Sequence, residues 1–220
     1  MFGSCLSIIN LLDKYTVRLK GHMDTLAHGL WATALSKSVN IRTPRTLKTG
    51  QMALWSIAPD LFSFTPVVVW MIWQMSYNGV AFSDIPRPEF MSADERDRIF
   101  ILSLSQILYH ISHSAIIFLG LFLLVWLLRR YKSGHTSGYA FGGGRPYFEM
   151  SGWLLHILLD IPTHSEKFYP TLFLWPLSGF HFDGNSWGNM KFMIGNYLCL
   201  LTVFIAIRIA GRRAALKNND

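Results

Sequence analysis

Seven side chains of the kinds that bind metals or move protons stand in or beside segments that are otherwise apolar: His28, Asp60, His110, His113, His156, Asp160 and His164. An Asp at the centre of a helix in hydrocarbon costs about 2.5 to 3.5 kcal/mol, so such a group ordinarily faces a cavity, a partner or an ion. His156 and Asp160 form a His-x3-Asp pair one helical turn apart, which aims an imidazole nitrogen and a carboxylate at one point. His110 and His113, three residues apart, share a helix face and can do the same. His28 and Asp60 add one ligand each from two further segments, and facing helices of a bundle commonly hold one or two divalent metals between them. His164 follows Asp160 by four residues, with Pro162 between them to redirect it.

Taken singly, a histidine in an apolar helix is more often a hydrogen-bonded structural residue than a ligand. Four or more such residues on four segments, mostly in paired spacings, are hard to assign to independent structural roles. Other polar residues read more plainly. His22, at a basic junction, and His135, in a Gly/Ser segment, are expected in solvent, and His181 and Asp183 either supply a late ligand or, as the favoured reading, cap a turn. Gly142 to Gly144 lack the strand and the Lys-Ser/Thr of a phosphate loop and read as a hinge. Cys5 and Cys199 offer neither a disulfide framework nor a paired metal spacing.

The elements that must position these residues are helices in an apolar chain. Of 220 residues, 51% are hydrophobic and only 15% charged, and the mean hydropathy is +0.28. Residues 99–128 carry no Lys, Arg, Asp or Glu, a run longer than the roughly 20 residues that cross a bilayer core. Residues 61–83 and 192–207 are two more candidate spans. The spacing predicts a helix over 24–38 capped by Asp24 or Thr25, and one from about 49–51 to 77 interrupted at Pro59 and Pro66. A long helix over 96–130 follows, then one over 148–161 ended or kinked by Pro162. Residues 131–146 read as a flexible connector, and 168–189, rich in aromatics, Pro and Gly, as a re-entrant or interfacial segment. The start of the chain has too short an apolar stretch for a good signal peptide. The expected organisation is all-α: a polytopic membrane bundle with four or five embedded helices over 23–210, after an interfacial extension at 1–22 and before a basic cytoplasmic tail at 211–220.

The net charge of +7 points to membrane orientation rather than nucleic acid, because the basic residues form short blocks beside apolar segments. Arg42, Arg45 and Lys48, then Arg129, Arg130 and Lys132, then Arg208, Arg212, Arg213 and Lys217 face the cytoplasm by the positive-inside rule.

Five elements in order carry a resemblance: Met23-Asp24-Thr25-Leu26-Ala27-His28, Ala58-Pro59-Asp60, His113-Ser114, His156-Ile157-Leu158-Leu159-Asp160-Ile161-Pro162-Thr163 and Trp175-Pro176. This order resembles the poorly characterised family of inner-membrane, metal-dependent hydrolases of bacteria and archaea, over roughly residues 23 to 177. Phe62 stands where that family usually has a second Asp, which weighs against a full two-metal site, and Tyr109-His110-Ile111-Ser112 stands where it usually has a His-Arg-Gly. More distantly, the ligand order His, Asp, His, His-x3-Asp resembles zinc-dependent phospholipase C. The resemblance implies a divalent metal, zinc first, held by His28, Asp60, His113, His156 and Asp160, with His110 and His164 as further ligands or proton-transfer groups. It implies hydrolysis of a phosphoester of a small molecule or membrane lipid by a metal-activated water. A metal or proton transporter and a non-catalytic membrane scaffold are the rival readings of the same residues. Oligomeric state is not legible.

Overall fold

The computed structural model describes residues 24–43, 46–86, 91–137, 145–166, 169–185 and 189–217. The extension at 1–22, with His22, and the glycines at 142–144 lie outside the described residues. Seven α-helices and no strand occur among those described.

Helix α1 (Thr25–Arg42) starts where Asp24 accepts a hydrogen bond from the Ala27 N–H, 3.1 Å, as its sequence suggests. It ends at Thr43, whose extended backbone is what a residue before proline adopts. Helix α2 (Thr49–Tyr77) runs 29 residues without a break. Pro59 and Pro66 lie inside it, so the expected interruption does not occur. Each proline removes one backbone donor, a loss that a long, packed helix tolerates. Helix α2 is central, packed against α1, the helix before His113 and the helix that carries His156.

The expected single helix over 96–130 is three: α3 (Ala93–Arg98), α4 (Phe100–Ser112) and α5 (Ala115–Ser137). Helix α3 opens on a capping box in which the Ser92 hydroxyl accepts from the Glu95 N–H and the Glu95 carboxylate accepts from the Ser92 N–H. Those donors hold the Glu95 carboxyl below the usual glutamate range. Between α4 and α5 the chain turns by 60° at His113 and Ser114. No Pro or Gly lies there; the break is held from outside. The Ala115 N–H donates to the Phe173 carbonyl at 2.8 Å, the Ser114 hydroxyl donates to the Trp175 carbonyl, and the Ile117 N–H donates back to the Ser114 hydroxyl. The segment 171–177 thus takes up backbone and side-chain groups at the bend. Helix α5 continues to Ser137, so the first part of the expected connector is helical.

A 3-10 turn (Phe148–Met150) leads into the short α6 (Ser151–Asp160). A Cβ on Gly152 would strike the Met52 carbonyl oxygen, so glycine is what lets α6 lie against the backbone of α2. Residues 169–185 form turns without a helix, in keeping with their Pro, Gly and aromatic content. Helix α7 (Met190–Lys217) runs past residue 210 unbroken. It docks on α1 through Ala27, Leu30, Trp31, Phe192, Leu200 and Phe204, with Trp31 Nε1 donating to Asn196 and the Tyr197 hydroxyl donating to Asp24, both at 2.9 Å.

Helices α2 and α7 are each long and apolar enough to cross a membrane, and the bent pair α4 and α5 makes a third candidate if it counts as one span. The sequence-based expectation of four or five embedded helices therefore exceeds the candidate spans by length and composition. Ten residues in α6 reach only about 15 Å at 1.5 Å per residue, half a hydrocarbon core.

Candidate metal centre

Four side chains from two helices and the α4–α5 bend meet at one point. Asp60 comes from the middle of α2, His113 from the residue that ends α4, and His156 and Asp160 from one face of α6. His113, His156 and Asp160 are fully buried and Asp60 nearly so. One ligand atom of each lies within 4.8 Å of the others. Nε2 of His113 and Nε2 of His156 are 2.9 Å apart. Asp160 Oδ2 is 3.1 Å from the first and 3.2 Å from the second, and Asp60 Oδ1 is 3.6 and 3.5 Å from them. With bonds of about 2.0 to 2.1 Å, the ligand atoms of a tetrahedral zinc site stand about 3.3 Å from one another. The quartet fits that spacing.

Two members, Asp60 and His113, are aimed from behind. The Thr25 hydroxyl donates to Asp60 Oδ2 at 2.7 Å, leaving Oδ1, which makes no hydrogen bond, for the quartet. His113 Nδ1 lies 3.1 Å from the Tyr109 carbonyl and 2.8 Å from the Ser112 hydroxyl. A carbonyl only accepts, so in the neutral ring Nδ1 carries the proton and Nε2 presents a lone pair to its neighbours. Ser112 is itself held by Ser63 at 2.7 Å, which ties α4 to α2 behind the histidine. Outer partners of this kind fix the tautomer and direction of metal-ligating histidines.

The arrangement is costly without a cation. Two aspartates are packed out of water beside imidazole nitrogens, and both oxygens of Asp160 and Oδ1 of Asp60 lack a hydrogen bond of acceptable geometry. Buried carboxylates need compensating charge. A divalent ion among the four atoms would supply it and would convert facing lone pairs from repulsive to bonding. The donor set of two imidazoles and two carboxylates suits a borderline or hard divalent ion.

The remaining expected site residues fall into two groups. His28 and His164 adjoin the quartet through Asp160, at 3.1 and 3.6 Å. His110 is not part of it: this half-buried ring meets Tyr109 edge-on, its Nδ1 makes no hydrogen bond, and no ion pair or hydrogen bond of the cluster includes it. His113 ends its helix, at φ −102 and ψ 15, and is fully buried, whereas His110 lies within the helix and is half-buried. Phe62 is 52% exposed on the outer face of α2, two residues and about 200° of helix from Asp60. A carboxylate there would point away from the quartet, so its absence removes no ligand from this frame. His181 lies 3.5 Å from Glu166, and the Asp183 carboxylate accepts from the Glu166 N–H, 17 residues away in sequence. The side chain of His135 is outside the description.

Sequence reasoning missed the residues that aim the ligands. Thr25 reads as a helix cap, and Ser63, Ser112, Tyr109 and Thr171 carry no spacing signal. Only the direct adjacency of Ser112 to His113 could have singled one out. No protein-family model, curated protein or solved structure matches this chain.

Proposed function

We propose that this chain is a membrane-embedded, metal-dependent hydrolase that cleaves a phosphoester, with a lipid-linked compound as the favoured substrate class. The observation that carries this reading is the convergence of Asp60 Oδ1, His113 Nε2, His156 Nε2 and Asp160 Oδ2 inside an apolar helical frame. Zinc is the favoured ion given the imidazoles, and an ion so held polarises a scissile group and lowers the pKa of a water towards 7. Asp60 and Asp160 provide the negative charge that retains it. Thr25, Ser112 and the Tyr109 carbonyl fix the directions of Asp60 and His113, which limits the reorganisation needed on binding. The phosphoester class is supported by the order of ligands along the chain, which is like that of zinc-dependent phospholipase C. The lipid-linked class is supported by the apolar exterior around the site.

In this reading α2, α7 and the bent α4–α5 pair cross the inner membrane of a bacterium or archaeon. Helices α1 and α6 are embedded beside them to reach the four or five elements expected. The basic end of α7 lies on the cytoplasmic side by the positive-inside rule. Purified protein in lipid–detergent micelles, supplied with zinc and assayed on phospholipids and soluble phosphomonoesters and diesters, is expected to release phosphate or a phosphorylated head group. Asp160→Ala is expected to lower that rate at least a hundredfold. Equal rates in wild type and Asp160→Ala would overturn the hydrolase reading.

One observation favours a second reading. The burial of the whole quartet suits an ion in transit between the two sides of the membrane as well as one that meets substrate. Uptake of zinc by proteoliposomes without hydrolysis of any ester would select the transporter.

A further inference from the structure

The carboxylate of Asp160 has two faces, and the quartet uses only one. Oδ2 meets His113 and His156. Oδ1 meets a second pair of imidazole nitrogens, Nε2 of His28 at 3.1 Å and Nε2 of His164 at 3.6 Å. These two come from different parts of the chain, His28 from the first turn of α1 and His164 from the turn after α6. His28 and His164 are as buried as the quartet itself.

The direction of the His164 ring is fixed. Its Nδ1 lies 3.0 Å from the Tyr169 carbonyl, which can only accept, so in the neutral ring Nδ1 is protonated and Nε2 is bare. The Tyr109 hydroxyl, 3.1 Å from the same nitrogen and 2.9 Å from the Thr171 hydroxyl, buttresses it. The turn is clamped by the Gly184 N–H on the His164 carbonyl at 2.8 Å and the Asn185 N–H on the Pro162 carbonyl at 2.9 Å. A Cβ on Gly184 would strike the Pro162 carbonyl, so only glycine lets the two segments close. His164 Nε2 and Asp160 Oδ1, both buried, make no hydrogen bond. A bare nitrogen lone pair held towards a carboxylate oxygen repels it, whereas a cation between them attracts both.

We propose a second divalent-ion position between Asp160 Oδ1, His28 Nε2 and His164 Nε2, with Asp160 bridging it to the ion of the quartet. The inference rests on the reading that the quartet holds a metal. It assigns His28 and His164 to the second ion, outside the quartet, and leaves His110 unused. The centre is then a carboxylate-bridged pair whose second half is built from imidazoles rather than from the additional aspartate of the resembled family.

Manganese is the probe, because its electron paramagnetic resonance separates isolated from coupled ions. Detergent-purified full-length chain, stripped and reloaded with manganese, is expected to contain two ions per chain and to give an exchange-coupled spectrum. His164→Ala and His28→Ala are each expected to fall to one ion per chain with an uncoupled six-line signal. One uncoupled ion in wild type would overturn the second position and leave the quartet standing. Two ions that persist in the His28→Ala, His164→Ala double variant would place the second ion elsewhere and equally overturn the proposal. A wild type that binds none removes both readings. The wild-type spectrum decides even if a variant fails to fold.

Discussion

Helices α6 and α7 distribute polarity in opposite ways. In ten residues α6 buries His156 and Asp160 completely. Over 28 residues α7 turns Ile194, Leu198, Leu201, Ile205 and Ile209 outward along one face, each about half exposed. Helix α5 does likewise with Leu119, Leu123, Leu124, Leu127 and Leu128. Scattered exposed apolar residues are ordinary, but continuous faces of them on long helices are not. Buried aspartates beside long outward faces of leucine and isoleucine suit hydrocarbon as solvent. The comparison teaches that the buried polar residues are not what remains after folding. Hydrocarbon penalises them, and second-side hydrogen bonds orient Asp60 and His113 towards the others at further cost in order.

The contrast can be broken from the apolar side first. Leu201→Asp puts a carboxylate near the middle of the outward face of α7, at a cost of about 3 kcal/mol if that face meets lipid. The fraction of chain recovered in membranes should drop sharply, whereas equal recovery would mean that the face meets water. Next in size is Gly152→Ala, which forces α6 off the Met52 carbonyl and away from Asp60. An overpacking loss of about 1 to 3 kcal/mol is expected, read as a lowered Tm in detergent together with weaker metal binding. An unchanged Tm would show that the α2–α6 approach has slack.

Thr25→Val removes the hydroxyl behind Asp60 while leaving every ligand in place. Loss of such an outer partner typically lowers metal affinity by about 10- to 100-fold, and competition with a fluorescent chelator should show a decrease near the lower end. Affinity equal to wild type would leave Thr25 without a role in aiming Asp60. The smallest effect belongs to the solvent-side Glu95. Its carboxyl is held below the usual glutamate range by Ser92, so the charged form supports the start of α3. That support is complete above the ordinary glutamate pKa and is lost as pH falls through the lowered one. Glu95→Gln should weaken hydrogen-exchange protection in α3 at neutral pH, without altering metal content.

Much of the centre was legible in the sequence because hydrocarbon makes ionisable residues conspicuous. His156 and Asp160 also have the right spacing, and the helix that carries them forms where their periodicity puts it. The start of α1 was readable from Asp24 and the extent of α2 from the apolar run, whereas α1 runs to Arg42, past the expected end at residue 38. What escaped depends on contacts distant in sequence. The break at His113 and Ser114 has no proline or glycine to announce it and depends on carbonyls of Phe173 and Trp175, some 60 residues on. Pro59 and Pro66 suggested a break where tertiary packing keeps the helix whole. His110 and His113 looked equivalent by spacing, yet only His113 belongs to the quartet. The division of Asp160 between two pairs of histidines required the fold that brings α1 and the turn after α6 to the same carboxylate.

The central claim is that the quartet holds a metal. Elemental analysis of detergent-purified wild type beside His113→Ala and Asp160→Ala tests it most directly. Zinc or another divalent metal bound in stoichiometric amount to wild type and lost from both variants is the predicted result. A wild type that stays metal-free after reconstitution with zinc would contradict it and leave the buried histidines and aspartates as contacts between helices.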